Sequence, residues 1–79
     1  MNNKHFVTML NQYPKLKNLV IYIKGNIKLN EALPGQDILK EIIGYSKQQL
    51  RESLIMLQCF GYISINHGKK TKLIKEIDV

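Results

Sequence analysis

Seventy-nine residues with 44% hydrophobic content make one small, foldable domain, near the lower limit for a core without disulfides or metal. A single cysteine, Cys59, excludes an internal disulfide and a cysteine-rich metal site. The net charge of +6 favours an anionic partner, nucleic acid or a membrane surface.

The charge is unevenly spread. Lys4, Lys15, Lys17, Lys24 and Lys28 precede the first acid, Glu31, and Lys69, Lys70, Lys72 and Lys75 cluster near the end. Arg51 is the one arginine, and lysines act as point charges on phosphate more than as bidentate readers of bases. The longest apolar run, 19–23, is too short to cross a bilayer and no secretory signal is visible. The expected compartment is therefore the cytoplasm: with the nucleoid in a bacterium, or the host cytoplasm for a phage protein.

In chain order, residues 1–13 form an N-terminal extension in which Phe6, Val7, Leu10 and Tyr13 are spaced as a short helical stripe. Pro14 breaks that stripe and suits the first position of the next helix. From there Leu16, Leu19, Val20, Ile23 and Ile27 recur at helical spacing, which predicts a helix ending near 25–28. Residues 29–35 read as a loop closed by Leu33-Pro34-Gly35, because proline disfavours helix at the residue before it. A short helix over about 36–43 is expected to bury Leu39, Ile42 and Ile43, with Gly44 ending it and Tyr45 tucking its ring against the helices.

Residues 46–61 carry the most information. Ser46 and Gln49 have the spacing of a capping box. Leu50, Ser53, Leu54 and Leu57 define one buried face, and Gly61 ends the helix. Lys47, Gln48, Arg51 and Glu52 then point outward near the helix N-terminus, the end of a recognition helix that meets bases and phosphates in a major groove. Beyond Gly61 the period becomes two over 62–66 and 71–77, with His67-Gly68-Lys69-Lys70 as the turn, a hairpin that must lean on the helices. The expected fold is mainly α with a small β-hairpin: a winged helix-turn-helix of three core helices and a wing over 14–79, with the extension adding a further short helix.

The pattern over 15–74 resembles the DNA-binding domain of GntR-type bacterial transcription regulators. That family typically has a helix ending in glycine and a loop into Leu-Pro, matched here from Gly25 to Leu33-Pro34. A short helix, a glycine and Ser-Arg follow, then Val-Arg-x-Ala-Leu and a closing Leu-x-x-x-Gly. This chain reads Gly44-Tyr45-Ser46-Lys47, Leu50-Arg51-Glu52-Ser53-Leu54, then Leu57 and Gly61. The wing's Gly-x-Gly-Thr element is matched by Gly68-Lys69-Lys70-Thr71, with the second glycine replaced. The resemblance implies DNA-contact roles for Ser46, Lys47 and Arg51. Asp37 stands where the family usually has a DNA-contacting arginine, and Lys40, one turn away, is the candidate substitute. These regulators usually continue into a ligand-binding or dimerising domain, so a chain ending at Val79 is expected to take no small-molecule effector.

Within such a fold Lys47, Gln48 and Arg51 read as DNA contacts in preference to an ordinary solvated face. Gln48 suits adenine, Gln49 being needed by the cap, and Arg51 suits guanine or phosphate. His67, Lys69, Lys70 and Lys72 fit a phosphate backbone better than base edges. No metal site, cofactor or catalytic constellation is expected. Ile55, Met56 and Phe60 are apolar where the family tends to be polar. Either Phe6, Leu10 and Tyr13 fold back over them, or they form a patch for self-association or another protein; the two combine in a homodimer that exchanges the extension. Cys59 beside them is expected to be a small core residue.

The reading is a small sequence-specific regulator of bacterial, plasmid or phage origin that binds double-stranded DNA as a homodimer, with half-site centres about one turn (~10 bp) or a multiple apart. Its alternatives are a winged-helix module that binds polymerase or another regulator, and a DNA-binding factor of replication or plasmid maintenance. A membrane role ranks last, because the lysines do not gather on one lipid-facing helix.

Overall fold

Pro14 divides the N-terminal half into two helices, and Gly44 separates the two that follow. A computed structural model describes residues 4–66, 68 and 70–78. Along them run four helices, α1 (Lys4–Gln12), α2 (Pro14–Asn26), α3 (Gln36–Ile43) and α4 (Lys47–Cys59), then the antiparallel strands β1 (Ile63–Ser64) and β2 (Lys72–Leu73). Pro14 takes the first position of α2, where its missing N–H has no helical partner to lose. Gly44 ends α3 at φ 72°, a left-handed conformation that costs other residues about 1–2 kcal/mol, and its N–H bonds back to the Lys40 carbonyl.

A nine-residue helix such as α1 is marginal in water, so packing must hold it. Phe6 and Leu10, one turn apart, are buried. The Phe6 ring meets Phe60 edge-on at 5.1 Å between centroids and Tyr62 at 4.6 Å. The N-terminal extension is thus folded onto its own chain where α4 passes into the hairpin, while α1 packs along α2. One contiguous core unites these residues with Leu16, Leu19 and Ile23 of α2 and Leu50, Leu54 and Leu57 of α4. The radius of gyration, 11.6 Å, is that of a compact chain of this length.

Three expectations are corrected. In α3, Leu39 is buried but Ile43 is only half-buried and Ile42 is exposed. That helix packs on α4 and α2, and Ile42 falls outside both contacts with Ile38, one turn before it. Cys59 is exposed, because Leu57 takes the inward position and two further residues rotate Cys59 to the other side of the helix.

The strands are also shorter than the alternation predicts. Ile74 and Lys75 both donate their N–H groups to the Tyr62 carbonyl, at 2.9 and 3.3 Å, so the chain leaves the ladder after Leu73. Residues 29–35, expected as a loop, partly pair with β2: Ala32 bridges Lys72, Leu33 N–H donates to Thr71 O at 2.8 Å, and Leu73 N–H donates to Glu31 O at 3.1 Å. This covers the β2 edge that β1 leaves open. Among the described residues, no helix is long and apolar enough to cross a membrane.

Candidate nucleic-acid interface

The first turn of α4 is built around its cap. Ser46 is extended (φ −71°, ψ 160°); its Oγ accepts the Gln49 N–H at 3.1 Å, and Gln49 Oε1 accepts the Ser46 N–H at 3.1 Å. This reciprocal pair satisfies two otherwise orphan donors and uses the Gln49 side chain, leaving Gln48 as the glutamine of that turn outside the cap. Ser53 Oγ donates to the Gln49 carbonyl at 3.0 Å and is buried beside Leu50, Leu54 and Leu57, as the apolar spacing predicts. The opposite face is open to solvent.

On that face Lys47, Gln48, Arg51 and Glu52 line one shallow depression of about 470 Å³. Gln48 Nε2 donates to Glu52 Oε1 at 3.1 Å, across one helical turn. The bond orients the amide and still leaves one N–H and the carbonyl oxygen, the pair that recognises an adenine edge. Glu52 was not among the residues singled out as contacts; its spacing of four from Gln48 was the available signal. Arg51 is exposed, with no ion-pair partner among the described residues.

Tyr45 joins this turn to α2. Its ring is buried, its hydroxyl donates to the Lys15 carbonyl, and Lys15 Nζ lies 4.7 Å from the ring centroid. Burial pushes the phenol above its ordinary value of 10.0, against a smaller downward pull from a hydrogen bond with Asn18. The contact sets Lys15, at the N-terminal end of α2, beside the start of α4. A lysine next to a turn tyrosine thirty residues away carries no local signal, which is why sequence reasoning did not single it out as an individual contact.

The other candidates are separate from this group. Lys40 is half-buried on α3, and its ammonium lies 3.9 Å from Glu41, which offsets part of its charge. Lys70 and Gly68 share a cleft of about 320 Å³ with Pro34, Gly35 and Gln36 at the start of α3. Lys72 is exposed on β2. His67 and Lys69 lie outside the described residues. Among those described, no group of three or more His, Cys, Asp or Glu side chains could hold a metal ion.

The six apolar residues expected at a partner interface divide. Phe6 and Leu10 are buried within the chain, Met56 and Phe60 are half-buried against the core, and Tyr13 and Ile55 are exposed. The covering arrangement accounts for Phe60 through the Phe6 ring, and leaves Ile55 outside it.

In comparisons with known proteins, no family model and no curated protein matches this chain.

Proposed function

We propose that the chain is a winged-helix DNA-binding domain that works as a small sequence-specific transcriptional regulator. α4 enters the major groove, and the hairpin serves as the wing. One observation carries the reading: a doubly capped helix end presents Lys47, Gln48 and Arg51 together, with Lys15 alongside. The helix N-terminus adds a partial positive charge to the same surface. Gln48 and Arg51 are the base readers in this scheme. Lys15, Lys47, Lys70 and Lys72 hold phosphates. The order of motifs from Leu33-Pro34 to Gly68-Lys69-Lys70-Thr71 supports it through its resemblance to GntR-type domains.

Glu52 has a place here as well, since a carboxylate beside the readers accepts from cytosine N4 and opposes phosphate in the wrong register. A protein-binding role centred on Ile55, Met56 and Phe60 has weaker support, because only Ile55 of the three is exposed.

Selecting duplexes bound by the full chain from a random-sequence pool tests the proposal. Enrichment of a short recurrent motif is the expected result. Binding that enriches nothing, or no retention at low salt, contradicts it.

A further inference from the structure

α3 leaves one side uncovered. Asp37, Ile38, Glu41 and Ile42 occupy neighbouring positions around it, and the two isoleucines are 61% and 52% exposed. The acids are two of only six in a chain of net charge +6. Carboxylates interleaved with isoleucines make a poor surface for phosphate and a good one for a basic apolar partner.

Such a surface exists on the same chain. Between α1 and α2 lies a groove of about 360 Å³, lined by Val7, Leu10, Val20 and Ile21, with Lys17 and Lys24 also on its lining and Asp78 the one acid there. Ile21 is 59% exposed and Val7 is exposed as well. α1 packs along α2 whereas α3 packs on α4 and α2, and both surfaces stay open, so one copy does not close its own ridge into its own groove.

We infer that the occupant is a second copy: the Asp37–Ile38–Glu41–Ile42 ridge of one chain docks in the α1–α2 groove of the next. The charges are complementary in this arrangement: Asp37 and Glu41, the latter 3.9 Å from Lys40, face the lining that carries Lys17 and Lys24. A symmetric groove-to-groove contact sets Lys17 and Lys24 against their own counterparts, and a ridge-to-ridge contact does the same for Asp37 and Glu41, so like charges oppose both. The contact joins two different patches. It is met either reciprocally in a twofold dimer, each ridge filling the other copy's groove, or head to tail, where assembly continues past the dimer. It uses a different surface from the expected homodimer that exchanges the N-terminal extension.

The inference stands apart from DNA binding and is tested without DNA. Two variants at exposed positions are needed, Ile38→Lys on the ridge and Ile21→Glu in the groove, with circular dichroism melting to check that each is folded. Sedimentation velocity of the wild type should show a mass that rises with concentration beyond one chain. Each variant alone should lose that rise and sediment as a monomer. An equimolar mixture should regain association and stop at the dimer, because Ile38→Lys keeps an intact groove and Ile21→Glu keeps an intact ridge. A wild type monomeric at every concentration overturns the inference, as does a variant that assembles like the wild type, or a mixture that stays monomeric.

Discussion

At the scale of single residues, two side chains separate the contact surface from its support. Arg51 is exposed, with no hydrogen bond or ion pair among the described residues, so Arg51→Ala should leave the melting temperature unchanged. As a base reader it should cost about 1–3 kcal/mol of affinity at a selected site, roughly fivefold to 150-fold, with far less effect on unrelated duplex. Titrating selected and scrambled duplexes with both proteins measures this. Tyr45 is the reverse case, a buried side chain bonded within the chain. Tyr45→Phe removes its bond to the Lys15 carbonyl and should cost about 1 kcal/mol of stability. The phenol of the folded chain holds its proton above the ordinary value of 10.0, so the unfolded chain loses that proton first. The resulting stability is intact below pH 10 and declines as pH rises through the folded-state value. Chemical denaturation of wild type and Tyr45→Phe across that range should show the alkaline decline smaller in the variant, other titrating groups being common to both.

At the scale of elements, local chemistry was legible in the sequence and long-range packing was not. Pro14, Gly44 and the Ser46–Gln49 box each act within one turn, and the helix boundaries they predict agree with the structure. The four-residue buried face of α4 was equally readable, because a 3.6-residue period needs no knowledge of the partner. Ile42 and Cys59 were misassigned because hydrophobicity marks what is suited to burial, while the neighbouring elements decide what is covered. The bridge from Ala32 to Lys72 spans forty residues of sequence, and no turn signal announces it. Lys15 beside Tyr45 is another contact of that kind. The exposed face of α4 was legible as a set, but its Gln48–Glu52 bond was not singled out. The N-terminal helix illustrates what packing adds. Phe6 is wholly buried, with its ring against Phe60 and Tyr62. Phe6→Ala should therefore cost about 3–5 kcal/mol, a large share of what so small a domain has. Denaturant titration checks it, and a loss under 1 kcal/mol would mean that α1 lies on the core without supporting it.

At the scale of the whole molecule, the positive charge and the acidic ridge divide the work. On the proposed reading, lysines around α4, α2 and the hairpin attract duplex, and binding should weaken steeply as salt rises because counterion release then gains less entropy. In the proposed assembly the α3 ridge and the α1–α2 groove make the contact between copies. A head-to-tail contact sets neighbouring copies in the same orientation, so sites bound by several copies should be direct repeats, whereas a symmetric dimer requires inverted ones. The sequences recovered by selection decide between these arrangements.

The central claim is that the capped N-terminal face of α4 meets DNA. A chain of 79 residues is small enough for that surface to be mapped amide by amide by NMR during titration with a selected duplex. Saturable shifts are expected on residues 46–52, with a second group at Lys15, Lys70 and Lys72, and little change along the α3 ridge. Shifts centred on Ile38 and Ile42 or on Ile55, with residues 46–52 unmoved at saturation, would contradict it.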